Sequence, residues 1–159
     1  MNDIAPAAAF RRPPLPRWPL TVVDAFDVTP RLRRVRLVGE TLDGFAHRPG
    51  QDLVLNLPQP DGTTARRHYT ISAFDPDELV LDIDFVLHGE SPAVTWARGA
   101  QLDDVVEADG PRGRTHIARD AEWHLFVGDE TGLPAIFAMI GSLGAGARAT
   151  SILEVAGPE

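Results

Sequence analysis

Arg67-His68-Tyr69-Thr70 is the stretch of this chain whose side chains could hold a charged, flat ligand. The Arg67 guanidinium is a permanently charged fork that suits a pyrophosphate, the Tyr69 ring offers a face for stacking, and Thr70 adds a compact hydrogen-bonding group. On a regular strand Arg67 and Tyr69 share a face and Thr70 points away. For all three to touch one ligand, the strand must end or twist there, or Thr70 must use its backbone. A second feature follows at Ser91-Pro92. Serine as N-cap and proline at the first helical position open a helix through Ala93, Val94, Thr95 and Trp96, whose first N–H groups and dipole favour a phosphate.

Other chemistries are excluded or disfavoured. The chain has no cysteine, which removes disulfides, thiolate metal sites, iron–sulfur clusters and thiol catalysis, so redox chemistry requires a bound organic cofactor. His47, His68, His88, His116 and His124 show no metal-ligand spacing, and no metal site is expected. Asp82 and Asp84 share one face of a strand and read as solvated or hydrogen-bonded carboxylates rather than a catalytic pair. A net charge of -8 opposes a nucleic-acid binder, which needs a basic surface to displace counterions. Arg31, Arg33, Arg34 and Arg36 fall in one strand-like segment and read as a solvated edge strand. No apolar run approaches the ~20 residues of a membrane-spanning helix, and the chain lacks a signal-peptide core, so a soluble, cytoplasmic protein without membrane insertion is expected.

The elements that must position these residues are mostly strands. The first nineteen residues are rich in proline and arginine and read as an irregular arm. From Leu20 to Glu107, short β-branched runs alternate with turn residues, giving strands at 20–28, 32–38, 52–57, 67–73, 79–88 and 102–107. In the fifth, Leu81, Ile83, Phe85 and Leu87 share the core face while Asp82, Asp84, Val86 and His88 share a polar one. After Gly110-Pro111-Arg112-Gly113 the pattern changes to a strand at 123–127, a helix at 131–143 and a strand at 149–155. The helix carries an apolar stripe of Leu133, Ile136, Phe137, Ile140 and Leu143. The last two strands are apolar almost throughout, as in a parallel sheet covered on both faces. The fold class is therefore mainly β: a six-stranded antiparallel Greek-key barrel followed by a truncated α/β segment.

The order of these stretches resembles the siderophore-interacting protein family within the ferredoxin–NADP reductase superfamily. The resemblance rests on Arg67-His68-Tyr69-Thr70, Asp82-Ile83-Asp84-Phe85-Val86-Leu87-His88-Gly89, Pro92-Ala93 with Trp96-Ala97, and Gly110-Pro111-Arg112-Gly113. Gly128-Asp129-Glu130-Thr131-Gly132-Leu133-Pro134-Ala135-Ile136 and Glu154-Val155-Ala156 complete it.

The resemblance implies an FAD-binding barrel over 20–118 and part of an NAD(P)H-binding α/β unit over 119–159, after the arm at 1–19. It implies that Arg67 holds the FAD pyrophosphate, Tyr69 packs on the isoalloxazine and Thr70 bonds near the flavin N5. Val86 and His88 would line the cofactor, Ala93 would give a backbone N–H to the diphosphate, and Gly128, Thr131 and Pro134 would face a nicotinamide nucleotide. The implied activity is that of an FAD-dependent ferric-siderophore reductase, with NADPH or NADH as donor, releasing Fe(II). Two features depart from the family pattern. Ser91-Pro92-Ala93-Val94 stands where a serine normally follows Pro-Ala, leaving Thr95 to offer the hydroxyl, and the later strands of the nucleotide unit are missing. The alternative is a non-catalytic or repurposed FAD-barrel module whose open sheet is covered by a second copy or a separate chain.

Overall fold

The computed structural model describes residues 13–157. Six strands, β1 (Arg17–Thr29), β2 (Leu32–Val38), β3 (Asp52–Pro58), β4 (Thr64–Asp75), β5 (Val80–Val86) and β6 (Val105–Arg112), close into a barrel in the order β1-β2-β5-β4-β3-β6. Every neighbouring pair is antiparallel. Helix α1 (Pro92–Gly99) lies between β5 and β6 in the chain. Strand β7 (His124–Asp129), helix α2 (Leu133–Gly141) and strand β8 (Ala149–Glu154) follow, with β7 and β8 parallel. The fold class read from the sequence is the one found.

Period-two alternation explains the barrel core. Leu53, Leu55 and Leu57 of β3, Val35 and Leu37 of β2, and Leu81, Ile83 and Phe85 of β5 are all fully buried. Each such side chain contributes about 1.5–3 kcal/mol of burial, set against the entropy of ordering the chain. Gly110 lets β6 cross the core closely: its φ is +147°, and a Cβ there would meet the Leu53 side chain at 2.7 Å.

Several expectations shift. The first strand begins at Arg17, inside the stretch read as an irregular arm, and residues 1–12 of that arm lie outside the described residues. β6 begins at Val105 rather than 102, because Asp103 turns the chain at φ +70°, and it runs through Gly110-Pro111 to Arg112 instead of stopping before them. β5 ends at Val86: Leu87 N–H donates to Arg31 O (2.7 Å) and His88 N–H to Val86 O (3.1 Å), so His88 stands past the strand, exposed.

The arginines of β2 do not mark an edge, since β2 is hydrogen-bonded on both sides. They neutralise acids. Arg34 grips Asp84 through Nε (2.7 Å) and Nη2 (2.9 Å), Arg34 and Arg36 both reach Asp82 at 3.3 Å, and Arg33 pairs with Asp27 at 2.7 Å. Asp82 and Asp84 are consequently buried rather than solvated. Burial pushes the Asp82 carboxyl above its ordinary range, against the pull of Arg34 and Arg36.

In the second unit, α2 is shorter than expected at both ends, and Thr131 belongs to a 3-10 turn at Glu130–Gly132. Phe137 is half exposed; Met139 takes the buried place beside Phe126 and Ile136. Met139 also lies close to Gly50 in the turn before β3, where an added Cβ would stand 3.1 Å from its Sδ. Among the described residues only one face of the two-stranded sheet is covered: Phe126 and Leu153 pack with the α2 cluster, while Leu125, Val127 and Ile152 are exposed. Among the described residues no helix is long and apolar enough to cross a membrane.

Candidate functional site

β4 pairs with two strands in succession. Residues 64–70 pair with β3, and pairing with β5 begins only at Ile71↔Ile83 and continues to Asp75↔Val80. β5 in turn pairs with β2 along its whole length, from Val80 to Val86. Beyond Ile71↔Ile83, β4 and β5 form no further residue pair and diverge, leaving a gap between their edges. Successive residues of an antiparallel strand turn their N–H and C=O to opposite sides. Ile71 N–H goes to Gln51 O at 3.0 Å, on the β3 side, so the backbone of Thr70 faces the gap. The strand itself does not end at Thr70; its pairing with β5 does.

The gap holds a groove of about 170 Å³ lined by His68, Tyr69, Thr70, Asp84, Val86, His88, Thr131 and Pro134. The Tyr69 ring is half-buried on Phe85, with centroids 4.2 Å apart, and Phe85 touches Trp96 of α1 at 5.7 Å. Burial raises the Tyr69 phenol above its ordinary value of 10.0 against the opposing charge of Arg67, so the ring is neutral at physiological pH. α2 leans on β4, which sets Thr131 and Pro134 opposite Thr70 and Val86. Asp129 fixes the turn that carries Thr131, accepting from its N–H (2.9 Å) and its hydroxyl (2.6 Å). The Thr131 bonds hold the Asp129 carboxyl below its ordinary range.

The other expected residues lie off this groove. Arg67 is exposed, and its guanidinium donates to Arg66 O at 2.9 Å. Ala93 is buried at the start of α1. Ser91 caps that helix as expected, its hydroxyl accepting from Val94 N–H (3.2 Å) and its carbonyl from Thr95 N–H (2.9 Å). Ala93 N–H is left without an acceptor among the described residues, while the Thr95 side chain is exposed. Gly128 has a packing role: a Cβ there would press on Ile136 at 3.2 Å.

Sequence reasoning missed Ser72, whose hydroxyl accepts from Asp84 N–H at 3.1 Å where β4 and β5 part. It also missed the support that Phe85 and Trp96 give Tyr69; the alternation marked Phe85 as core without saying what would rest on it. A larger cleft of about 750 Å³ lies at the other end of α2, among Arg48, His116, Arg119 and His124. None of the expected site residues lines it, and it offers neither the opened strand edge nor the stacking ring that mark the smaller groove.

Residues 55–115 match the model of the siderophore-interacting FAD-binding domain, and residues 121–159 match that of siderophore-interacting protein. The chain is 33% identical to the ferric vibriobactin reductase ViuB of Vibrio cholerae, over 80% of this chain and 55% of that protein. It is also 33% identical to the NADPH-dependent ferric-chelate reductase of Escherichia coli, over 74% of this chain and 53% of that one. The chain thus spans about half the length of these curated relatives. The crystal structure of a siderophore utilization protein from T. fusca superposes with a TM-score of 0.82 at 31% identity, covering 93% of this chain and 64% of that one. With an opened barrel edge, a ring beside it and matches to both successive family models, the chain belongs to the siderophore-interacting protein family.

Proposed function

We propose that this chain binds FAD in the gap between β4 and β5 and acts in the reduction of a ferric siderophore, taking electrons from NADPH, NADH or another donor and releasing Fe(II). The observation that carries the reading is the end of the β4–β5 pairing at Thr70 beside the supported ring of Tyr69. A flat heterocycle with hydrogen-bonding edges matches that combination of stacking face and main-chain donors and acceptors. FAD, when bound, accepts two electrons from a nicotinamide and delivers them singly to iron.

The chain's own residues bind and orient. Tyr69 gives the stacking face, Thr70 its main-chain groups and hydroxyl, and Val86 and His88 the far wall. Arg67 is exposed with no acidic partner among the described residues, which suits a phosphate that arrives with the ligand. The acceptor-free N–H of Ala93 at the tip of α1 serves the same diphosphate, with Thr95 nearby. Thr131 and Pro134, with Gly128 behind them, border the groove from the second unit, where a nicotinamide would approach. Such a donor is supplied in the cytoplasm, where we assign the protein.

A second reading is favoured by one observation, the exposed apolar face of Leu125, Val127 and Ile152. On that reading the chain is an FAD-barrel module that works only with a second copy or a separate chain over this face. The test is a flavin fluorescence titration followed by anaerobic NADPH addition, with the oligomeric state measured by light scattering. Saturable FAD binding and bleaching of the bound flavin support the reductase. Binding without bleaching favours the module, and no binding overturns both.

A further inference from the structure

We propose that Asp84 sets the reduction potential of the bound flavin: its carboxylate offsets the charge of Arg34 at the groove wall and so keeps the ring a strong reductant. This rests on the flavin reading of the gap. Asp84 and Val86 share the face of β5 turned away from the core residues Ile83 and Phe85. Both border the groove, and Asp84 is the one acidic residue that does so among the described residues. The groove is small, about 170 Å³, so a ring held in it lies close to every residue that lines it.

Asp84 belongs to a balanced set of charges. Arg34 grips its carboxylate with bonds of 2.7 and 2.9 Å and lies 3.3 Å from Asp82, which Arg36 also approaches at 3.3 Å. At neutral pH the two guanidiniums and two carboxylates cancel. The side chains of Asp82 and Asp84 are only 9% and 4% exposed, so water and salt screen these charges weakly.

Without the charge of Asp84, the set would carry one net positive charge beside the groove. Reduction adds negative charge to a flavin, and a positive charge near the ring favours the reduced form. A flavin stabilised in that way gives up electrons less readily. Iron held tightly as Fe(III) by a chelator needs a strong reductant, and the carboxylate of Asp84 withholds the stabilisation that Arg34 alone would give.

The test is the midpoint potential of FAD bound to the full chain at neutral pH, read by equilibration with a reference dye. Asp84→Asn keeps the side chain's shape and removes its charge; it is expected to favour reduced over oxidised FAD about tenfold, a shift of about 30 mV to more positive potential. Arg34→Met removes the opposite charge and is expected to shift the potential the other way. Damage to packing alone would not give the two variants opposite signs. The charge of Asp84 is read a second time in the step from Arg36→Gln to Arg36→Gln with Asp84→Asn. There Arg34 keeps Asp82 as partner and no buried charge is left alone, so the measurement survives if a single variant fails to fold. A positive shift on removing Asp84's charge supports the proposal. An unmoved potential, or a shift of the same sign for Arg34→Met, overturns it. A wild-type chain that ignores FAD in a titration sinks the flavin reading and this proposal with it; a chain that binds FAD with a potential indifferent to Asp84 sinks this proposal alone.

Discussion

The ring of Tyr69 rests on that of Phe85, 4.2 Å between centroids and tilted by 37°, and Phe85 is wholly shut from solvent. A residue at the mouth of the groove is thus positioned by one in the barrel core, and the two are expected to fail in different ways.

Tyr69→Ala should weaken FAD binding by about 1–3 kcal/mol, the worth of one ring-on-ring stack, with little effect on folding. Tyr69→Phe keeps the ring and should bind within about threefold of wild type. Phe85→Ala should instead lower global stability by about 3–5 kcal/mol, because it opens a cavity that the barrel cannot collapse. Flavin fluorescence titration and urea denaturation separate the two outcomes.

Arg67→Ala should leave the melting temperature of the flavin-free protein essentially unchanged, since the side chain is exposed and bonds only to Arg66 O among the described residues. Its effect should appear on adding FAD, as an affinity loss that shrinks as salt rises. Arg67→Lys should recover part of the loss, because a lysine keeps the charge but not the two-pronged geometry. Calorimetric titration at two salt concentrations checks this.

Asp109 should contribute to acid sensitivity. Burial pushes its carboxyl up, but hydrogen bonds from Arg17 (2.8 Å) and Asn56 (3.2 Å) and the charges of Arg17 and Arg66 outweigh that and hold it below its ordinary 3.8. A carboxyl depressed in the folded state adds stability above its unfolded value and loses it as pH falls through the folded one. Melting temperature should therefore drop as pH is lowered from 3.8 toward that depressed value. Asp109→Asn should be less stable at neutral pH and show a shallower acid decline.

Gly50→Ala should loosen the docking of α2 on the barrel. Gly50 has φ +92°, and a Cβ there would lie 3.1 Å from Met139 Sδ and 3.2 Å from Thr115 O. Backbone strain and crowding together should cost about 1–3 kcal/mol. Met139→Ala in the same chain should not restore the loss, because the strain lies in the backbone. Thermal melts of the single and double variants test this.

Much of this protein is local and was legible in its residues. Alternating side chains marked the strands, because a strand exposes one face and buries the other; Ser91-Pro92 marked the start of α1, because capping is a contact between near neighbours. The motif around Tyr69 marked the groove for the same reason. What the sequence could not specify are partnerships between distant segments. That β4 serves β3 and then β5, leaving Thr70 without a partner on β5, depends on strands that approach from elsewhere in the chain. That Asp82 and Asp84 are buried follows from the arginines of β2, about fifty residues earlier, which lie across from them in the closed barrel. His88, read as a strand residue, left the alternation because its N–H turns back to Val86 O. Met139 rather than Phe137 is buried, on the side of α2 that meets the Gly50 turn, which the helix's own periodicity does not reveal. Periodicity sets which side chains share a face; only tertiary pairing decides what that face meets, and the gap beside Tyr69 exists because two neighbouring strands stop meeting.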